Sequence, residues 1–448
     1  MQPSGEDELT RRWVPFAALT MACSVLASGC GAGSIDDAAL RKRFAFAGIQ
    51  PISVDEQPGA LVELGEALFF DKELSGNRDI ACASCHHPAL ASGDALSLPI
   101  GTGGVGLGPD RILALDRDLV PRNSPEIFNR GSEHWETMFW DGRVMETSTG
   151  FVSPAGQALP ESLSSVLAVQ ALFPPTSRDE MRGAVGDIAV DGGLNELALI
   201  DDGDFTGIWD AIMKRVLEIP EYVEMFGAAF PAVDTDDLGF EHAAEAIAAY
   251  EAQAFAFAAS PFDRYLTGDD GALSLAENRG AEIFVETGCV MCHSGPLLTD
   301  QAYHTLGVPQ IGPGKAPDTP NDLGRYLVTS DDSDLYAFRT PPLRNVALTG
   351  PWMHDGAYTE LETVIRHHLD PVGTCEAYES GELGGLPAAV PADAALDLLD
   401  PALDALYVLS DEEIDDLVAF LGALTDPAAE DLDQLIPDSV PSGLPVDR

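Results

Sequence analysis

Two pentapeptides in the chain have the residue types and spacing of a covalent haem-attachment site. They comprise Cys82, Cys85 and His86 in the first half of the chain, and Cys289, Cys292 and His293 in the second. Two thiols three positions apart can form thioether bonds to the vinyl groups of one haem, and the adjacent imidazole can then reach the iron. We therefore expect two covalently bound haem c groups.

Other uses of these cysteines fit the pattern less well. Two disulfides would need no histidine directly after each pair. A zinc site would need further ligands at short spacing, and a thioredoxin-like site would need neither the histidine nor a second copy.

Helix-like segments surround both motifs. Apolar residues at helical spacing precede each motif, and an alanine-rich stretch over 241–259 predicts a helix that ends at Ser260-Pro261. Ser410 and Glu413 have the spacing of a capping box that opens a last helix. With few convincing strands, the sequence predicts a mostly α fold made of two c-type cytochrome-like domains, each carrying one covalently bound haem.

The predicted organisation has five parts. Residues 1–29 read as a signal peptide and 30–44 as a linker. The N-terminal haem domain covers 45–260, with an acidic insertion near 183–210, and the C-terminal haem domain covers 261–426. A flexible acidic tail is expected over 427–448.

The amino terminus predicts export. Arg11 and Arg12 precede about 15 apolar residues, too few to cross a bilayer, and small residues then lead to Cys30. This arrangement resembles a lipoprotein signal, with Cys30 as the lipidated residue; ordinary signal cleavage is the alternative. A periplasmic protein attached to a membrane only by that lipid is expected.

The composition excludes other classes of function. The 448 residues include 74 Asp and Glu against 24 Lys and Arg, a formal net charge of −50. Nucleic acids and anionic membranes require clustered basic residues, so neither is an expected partner.

Several further stretches carry a family resemblance. They lie at residues 68–75, 121–125, 139–143, 261–264, 340–346 and 351–356. In this order they resemble the bacterial dihaem cytochrome c peroxidase / MauG family over about residues 60–425. The resemblance implies that His86 and His293 are the proximal ligands of the first and second haem irons. It also implies that Trp140 lies between the haems and assists electron passage.

The resemblance also suggests the far-side ligand of the second iron. In the family this ligand follows the histidine of the His-Asp-Gly motif by about fourteen residues, which leads from His354 to His368. His367 and Met353 are the alternatives.

For the first haem, the resemblance suggests groups that handle peroxide. Glu180, which precedes a methionine as in the family, matches the acid/base residue, and Gln157 is a further polar candidate. The family loop that often supplies a removable distal histidine contains no histidine between Pro88 and Asn123. Either the first haem has an open position, or another group closes it.

A calcium ion between the domains is implied as well. Asn123 matches its side-chain ligand, and Thr349 and Pro351 match its two backbone carbonyl donors. Calcium favours such oxygen ligands and accepts water for the rest.

Together these features predict a dihaem oxidoreductase that reduces hydrogen peroxide. A small redox protein, cytochrome c or cupredoxin, would supply electrons at the C-terminal haem, and a homodimer is compatible with the resemblance. The alternatives are a six-coordinate dihaem electron carrier without peroxidase activity, and a MauG-like oxidase that acts on another substrate.

Overall fold

The computed structural model describes residues 35–315, 320–404 and 407–448. Everything described below lies in the unit formed by residues 36–448. The predicted signal peptide and Cys30 lie outside the described residues. In the part of the chain that is described, no helix has the length and apolar composition needed to cross a bilayer.

The described elements are mostly helices joined by long loops, which confirms the predicted fold class. The helices are α1 (Asp37–Phe46), α2 (Gly59–Phe70), α3 (Cys82–Cys85), α4 (Val166–Ala171), α5 (Phe205–Val216), α6 (Pro220–Ala229), α7 (Phe240–Ala254), α8 (Pro261–Leu266), α9 (Leu275–Glu286), α10 (Tyr326–Thr329), α11 (Leu361–Leu369), α12 (Pro371–Glu379), α13 (Asp393–Leu396) and α14 (Asp411–Gly422).

The strands are short and antiparallel. They are β1 (Thr137–Met138), β2 (Val144–Thr147), β3 (Gly150–Val152), β4 (Tyr303–His304), β5 (Gln310–Ile311), β6 (Phe338–Arg339) and β7 (Ala388–Val390). The pairing order is β1-β2-β3, with β4 beside β6 and β5 beside β7.

The same helix pair recurs in the two halves of the chain. The helix before each motif crosses a later helix at a glycine: Gly65 of α2 meets α7, and Gly280 of α9 meets α14. A Cβ at either glycine would lie 1.9 Å from a backbone oxygen of the partner helix, so the crossing requires glycine. Each half thus holds its motif beside one tightly packed helix pair.

Helix α14 begins as predicted, whereas α7 ends earlier than predicted. Ser410 and Glu413 form the expected capping box. Helix α7 ends at Ala254 instead of 259, because Phe257 N–H bonds the side chain of Asn129 at 2.8 Å. Pro261 does not end a helix: it begins α8, with Ser260 as its N-cap.

The described part of the predicted linker and the predicted flexible tail are both packed against the rest of the protein, contrary to expectation. The predicted linker contains most of α1, where the Phe44 ring lies 5.0 Å from that of Phe262 in the second half. The tail buries Leu432 and Val440 in the core of the first half. Asp447 at its end contacts Lys72 Nζ at 2.6 Å. In the tail, apolar residues are few and lie among prolines and aspartates. The sequence pattern there therefore did not predict packing.

The predicted acidic insertion is loop-like over 183–204, except for a short 3-10 turn at Leu197–Leu199. Its last part, from Phe205, already belongs to α5, because Asp204 caps that helix through Gly207 N–H.

Candidate active site

Each haem-attachment motif opens into its own cavity. The two cysteines and the histidine of the first motif line a cavity of about 1180 Å³, and those of the second motif line one of about 2110 Å³, both measured out to their open mouths. None of the four motif cysteines forms a disulfide with another described residue. Two thiols and one imidazole that line one cavity are the donor set that a covalently bound haem requires, so both sites fit this group.

The two motif histidines are oriented alike. His86 Nδ1 lies 3.3 Å from the carbonyl oxygen of Ser92, and His293 Nδ1 lies 3.2 Å from that of Leu298. Donation from Nδ1 leaves Nε2 as the nitrogen available to a metal. Burial lowers the pKa of both imidazoles to about 4, so each is neutral at physiological pH, as metal ligation requires.

Glu180 lines the first cavity on a π-helical turn, Arg178–Arg182. The carbonyl oxygen of Glu180 accepts a hydrogen bond from Thr102 N–H at 2.8 Å. A Cβ on Gly101 would lie 1.8 Å from the carbonyl oxygen of Asp179. The glycine-rich loop between Pro88 and Asn123 therefore contacts the turn that carries Glu180. The absence of a side chain at position 101 permits this contact.

The same loop adds no ligand to the cavity. Arg111 fixes it by donating to the carbonyl oxygens of Ile100, Gly101 and Gly106. No side chain of residues 100–119 lines the first cavity, and among its described lining residues His86 is the only histidine.

Substituting Gly101 with alanine should displace Glu180. The added methyl group would overlap the backbone of Asp179, so the π-helical turn must move by an ångström or more. A shift of that size at an acid/base group lowers turnover by on the order of a hundredfold. Steady-state peroxide reduction measures this effect. Gly227→Ala is the control, because a Cβ there meets nothing within 4 Å; equal activity of both variants would contradict the positioning role.

Gln157 was wrongly predicted as a site residue. It is exposed and does not line the first cavity. The amide in the cavity is that of Gln170, on α4. No local motif marks Gln170, so the sequence held no signal for it.

Further charged residues also line the first cavity. They are Arg122, Glu126, Arg130, Arg143, Glu251, Lys315 and Arg339. Burial raises the pKa of Glu251 to about 8, so this carboxyl group is largely neutral at pH 7. Lys315 comes from the second half of the chain, 229 positions after His86, which explains why no pattern revealed it.

The three candidate ligands of the second iron are His368, His367 and Met353. They differ in whether they line the second cavity and in whether a ring nitrogen is left to bind a metal. His368 and Met353 line the cavity, and His368 Nδ1 lies 2.8 Å from the carbonyl oxygen of Val364, leaving Nε2. His367 is fully buried and does not line the cavity. Both of its ring nitrogens are engaged, by Tyr358 Oη at 2.9 Å and the carbonyl oxygen of Leu306 at 2.8 Å.

A cationic imidazole lies beside the second motif. His304 lines the second cavity, with Nε2 3.2 Å from Asp300 and Nδ1 2.7 Å from Asp400. Hydrogen bonding, first of all to Asp300, raises the pKa of His304 to about 11. The two carboxylates therefore favour the protonated form of this imidazole beside the second motif.

Trp140 lines both cavities. Its indole Nε1 donates to the carbonyl oxygen of Asn123 at 3.0 Å, and its own carbonyl oxygen accepts from Arg339 N–H at 2.8 Å. The ring is 8% exposed, so its orientation is fixed by packing and by these bonds. The indole of Trp140 is therefore an aromatic group shared by the linings of the two cavities.

The predicted calcium ligands share one cavity wall. Asn123, Thr349 and Pro351 all line the second cavity. The Asn123 amide nitrogen donates to the carbonyl oxygen of Leu96 at 2.9 Å, which leaves its side-chain oxygen for a cation. Calcium binding stays a prediction.

A buried charge network joins the two halves next to the first cavity. Arg122 binds Asp322 through two nitrogens, at 2.6 and 2.8 Å, and its Nη1 lies 2.6 Å from Asp141 Oδ2. All three side chains are at most 7% exposed. Burial alone would raise the pKa of Asp141, but Arg143 and Arg122 outweigh it and hold that pKa well below its usual range.

Known proteins resemble this chain over most of its length. A family model for di-haem cytochrome c peroxidases matches residues 59–271. The chain is 32% identical to the cytochrome c551 peroxidase of Pseudomonas aeruginosa, over 70% of this chain and 72% of that protein. It is 30% identical to the methylamine utilization protein MauG of Methylorubrum extorquens, over 84% and 81%. The crystal structure of a MauG-like protein associated with microbial copper homeostasis superposes with a TM-score of 0.59 at 27% identity, over 87% of this chain and 96% of that one.

Proposed function

Because the chain belongs to the dihaem cytochrome c peroxidase / MauG family, and is thus a peroxidase-type oxidoreductase with two haem c groups, we propose that it reduces hydrogen peroxide in the first cavity. Electrons come from a small redox protein and enter at the second cavity. The observation that carries this proposal is the difference between the cavities. Among its described lining residues the first cavity has one histidine, His86, together with the Glu180 carboxyl group and the Gln170 amide, whereas the second is lined by four histidines, His293, His304, His354 and His368.

The chain's own residues supply the attachment. Cys82 and Cys85 would hold the first haem and His86 its iron; Cys289 and Cys292 would hold the second haem, with His293 and His368 as the residues that would bind its iron. When bound, the haems supply redox-active iron and, at the first site, a position for peroxide. His367 is unsuitable as a ligand because both of its ring nitrogens already have partners.

Glu180 performs the proton transfer. Cleaving the O–O bond of hydrogen peroxide consumes two electrons and two protons and yields two waters. A base must take the proton from one oxygen and return it to the other, and a carboxylate at the cavity wall can do both. The Gln170 amide can orient the peroxide by hydrogen bonding.

Trp140 assists electron passage between the two sites, and a calcium ion binds Asn123, Thr349 and Pro351. The position of Trp140 on both cavity walls supports the first part of this proposal. The orientation of the Asn123 amide, whose nitrogen donates to the carbonyl oxygen of Leu96, supports the second.

The electron donor is a basic cytochrome c or cupredoxin in the periplasm. The net charge of −50 supports such a partner, because opposite charges accelerate encounter. Lipid attachment through Cys30 belongs to the same proposal.

Electron paramagnetic resonance of the ferric protein tests the proposal. One high-spin signal, from an open first haem, and one low-spin signal, from a bis-histidine second haem, are expected. Replacing His368 with alanine should convert the low-spin signal to high-spin, because the second iron then lacks its far-side imidazole. His367→Gln is the matched control and should keep the low-spin signal.

The competing functions give different spectra. Two low-spin signals in the ferric protein, with no high-spin signal before or after one-electron reduction, would refute peroxide chemistry and indicate an electron carrier. A low-spin signal that survives in His368→Ala and disappears in His367→Gln would refute the assignment of the second ligand.

A further inference from the structure

Lys315 follows β5 in the second half of the chain, yet its side chain lines the cavity of the first motif. It shares that cavity with Glu180 and Arg143. The chain has only four lysines, of which Lys42 and Lys214 are exposed and Lys72 pairs with Asp447. Lys315 is therefore the one lysine that the described structure brings to either motif cavity.

Among the described residues, no carboxylate forms an ion pair with the ammonium group of Lys315. No hydrogen bond joins its Nζ to any acceptor among the described residues, although Asp141, Asp179 and Glu180 are near enough to interact with its charge. Burial, Arg143 and Arg122 lower the pKa of Lys315, while Asp141 and Glu180 raise it, and the balance lies at about 7. A lysine serving only as a structural counter-ion would instead contact a carboxylate.

Resting on the proposed function, we propose that Lys315 is a second catalytic residue of the first cavity. Its ammonium donates a hydrogen bond to the peroxide oxygen that leaves as water, beside the carboxylate of Glu180. Negative charge develops on that oxygen as the O–O bond breaks. A cationic donor in a cavity with little water stabilises such charge strongly.

The chemistry balances without a new reactant. Glu180 takes the proton from one peroxide oxygen and gives it to the other, which departs as the first water when the O–O bond breaks. The remaining oxygen leaves as the second water after two electrons from the redox donor and two protons from solvent are added. Lys315 keeps its own proton and contributes only the hydrogen bond and the positive charge.

The test compares Lys315→Met, Lys315→Arg and the exposed control Lys214→Met. One measurement is the second-order rate of reaction of each protein with hydrogen peroxide. The other is the affinity of the ferric protein for fluoride, read from its visible spectrum, because a bound anion uses the same cationic donor without turnover. For Lys315→Met we expect the peroxide rate to fall by about 10²–10³ and fluoride affinity by at least about tenfold. Arginine should preserve most of both, and Lys214→Met should match the parent protein.

Each other outcome overturns the inference. Unchanged fluoride affinity in Lys315→Met, with or without a slower peroxide reaction, would reduce Lys315 to a structural role. A high-spin signal that appears only in Lys315→Met would show that the amine ligates the first iron instead. If the parent protein itself fails to react with peroxide, the proposed function falls, while the fluoride comparison still decides whether Lys315 faces the ligand position.

Discussion

Replacing Glu180 with glutamine is expected to lower peroxide turnover by about 10²–10⁴. The amide has almost the shape of the carboxylate, and the carbonyl oxygen of residue 180 still accepts from Thr102 N–H, so the turn should remain in place. What is lost is the ability to take a proton from one peroxide oxygen and return it to the other. Stopped-flow measurement of peroxide-driven donor oxidation gives the rate, and unaltered visible spectra show that both haems remain attached.

Asp179→Asn is the matched control for this variant. Asp179 is the preceding acidic residue of the same turn, but it is exposed and does not line the first cavity. Its substitution should change turnover by less than about threefold. If both substitutions had equal effects, the loss would come from the charge of the turn rather than from proton transfer by Glu180.

Replacing Arg122 with methionine is expected to lower the free energy of unfolding by about 3–5 kcal/mol. The substitution leaves the carboxylates of Asp141 and Asp322 buried without their shared cation, and breaking a buried pair from one side costs this much. Because the two carboxylates are buried, dissolved salt screens their charges little. The loss of unfolding free energy should therefore persist at high salt. Denaturant unfolding of the haem-loaded protein, followed by tryptophan fluorescence, measures the change.

Acid should weaken the same network in the unaltered protein. The folded-state pKa values of Asp141 and Asp322 are both lowered, so their ionised forms stabilise the fold above their unfolded pKa of about 3.9. That stabilisation is lost as the pH falls below about 4, toward the folded pKa values. Arg122→Met should show a smaller loss of stability in that range.

An exposed arginine provides the control for the stability prediction. Arg366 contacts Glu362 and Asp411, but its side chain is 41% exposed and those of its partners 51% and 88%. Arg366→Met should therefore cost no more than about 1 kcal/mol. A similar loss in both variants would contradict the importance of burial.

Features set by a local pattern could be predicted from the sequence. The motif cysteines and histidines lie within five consecutive residues each, and both motifs line cavities as expected. The capping box at Ser410 is equally local, since Glu413 lies one turn away. Glu180 was proposed because a methionine follows it, as in the family, and it lines the first cavity; its acid/base role stays a prediction.

Features set by distant contacts could not be predicted. Gln170 and Lys315 have no motif around them, and only the folded chain brings them to the first cavity. The end of α7 depends on the side chain of Asn129, more than a hundred residues earlier. The choice between His367 and His368 was open in the sequence because the residues are adjacent, and only the partners of their ring nitrogens distinguish them.

The crossing of the two terminal segments has a consequence for folding. Helix α1 packs on the second half, whereas Asp447 binds Ser84 Oγ between the two cysteines of the first motif. That second contact joins residues 363 positions apart. The first attachment loop is therefore held by a distant segment, and unfolding of residues 427–448 alone would release it.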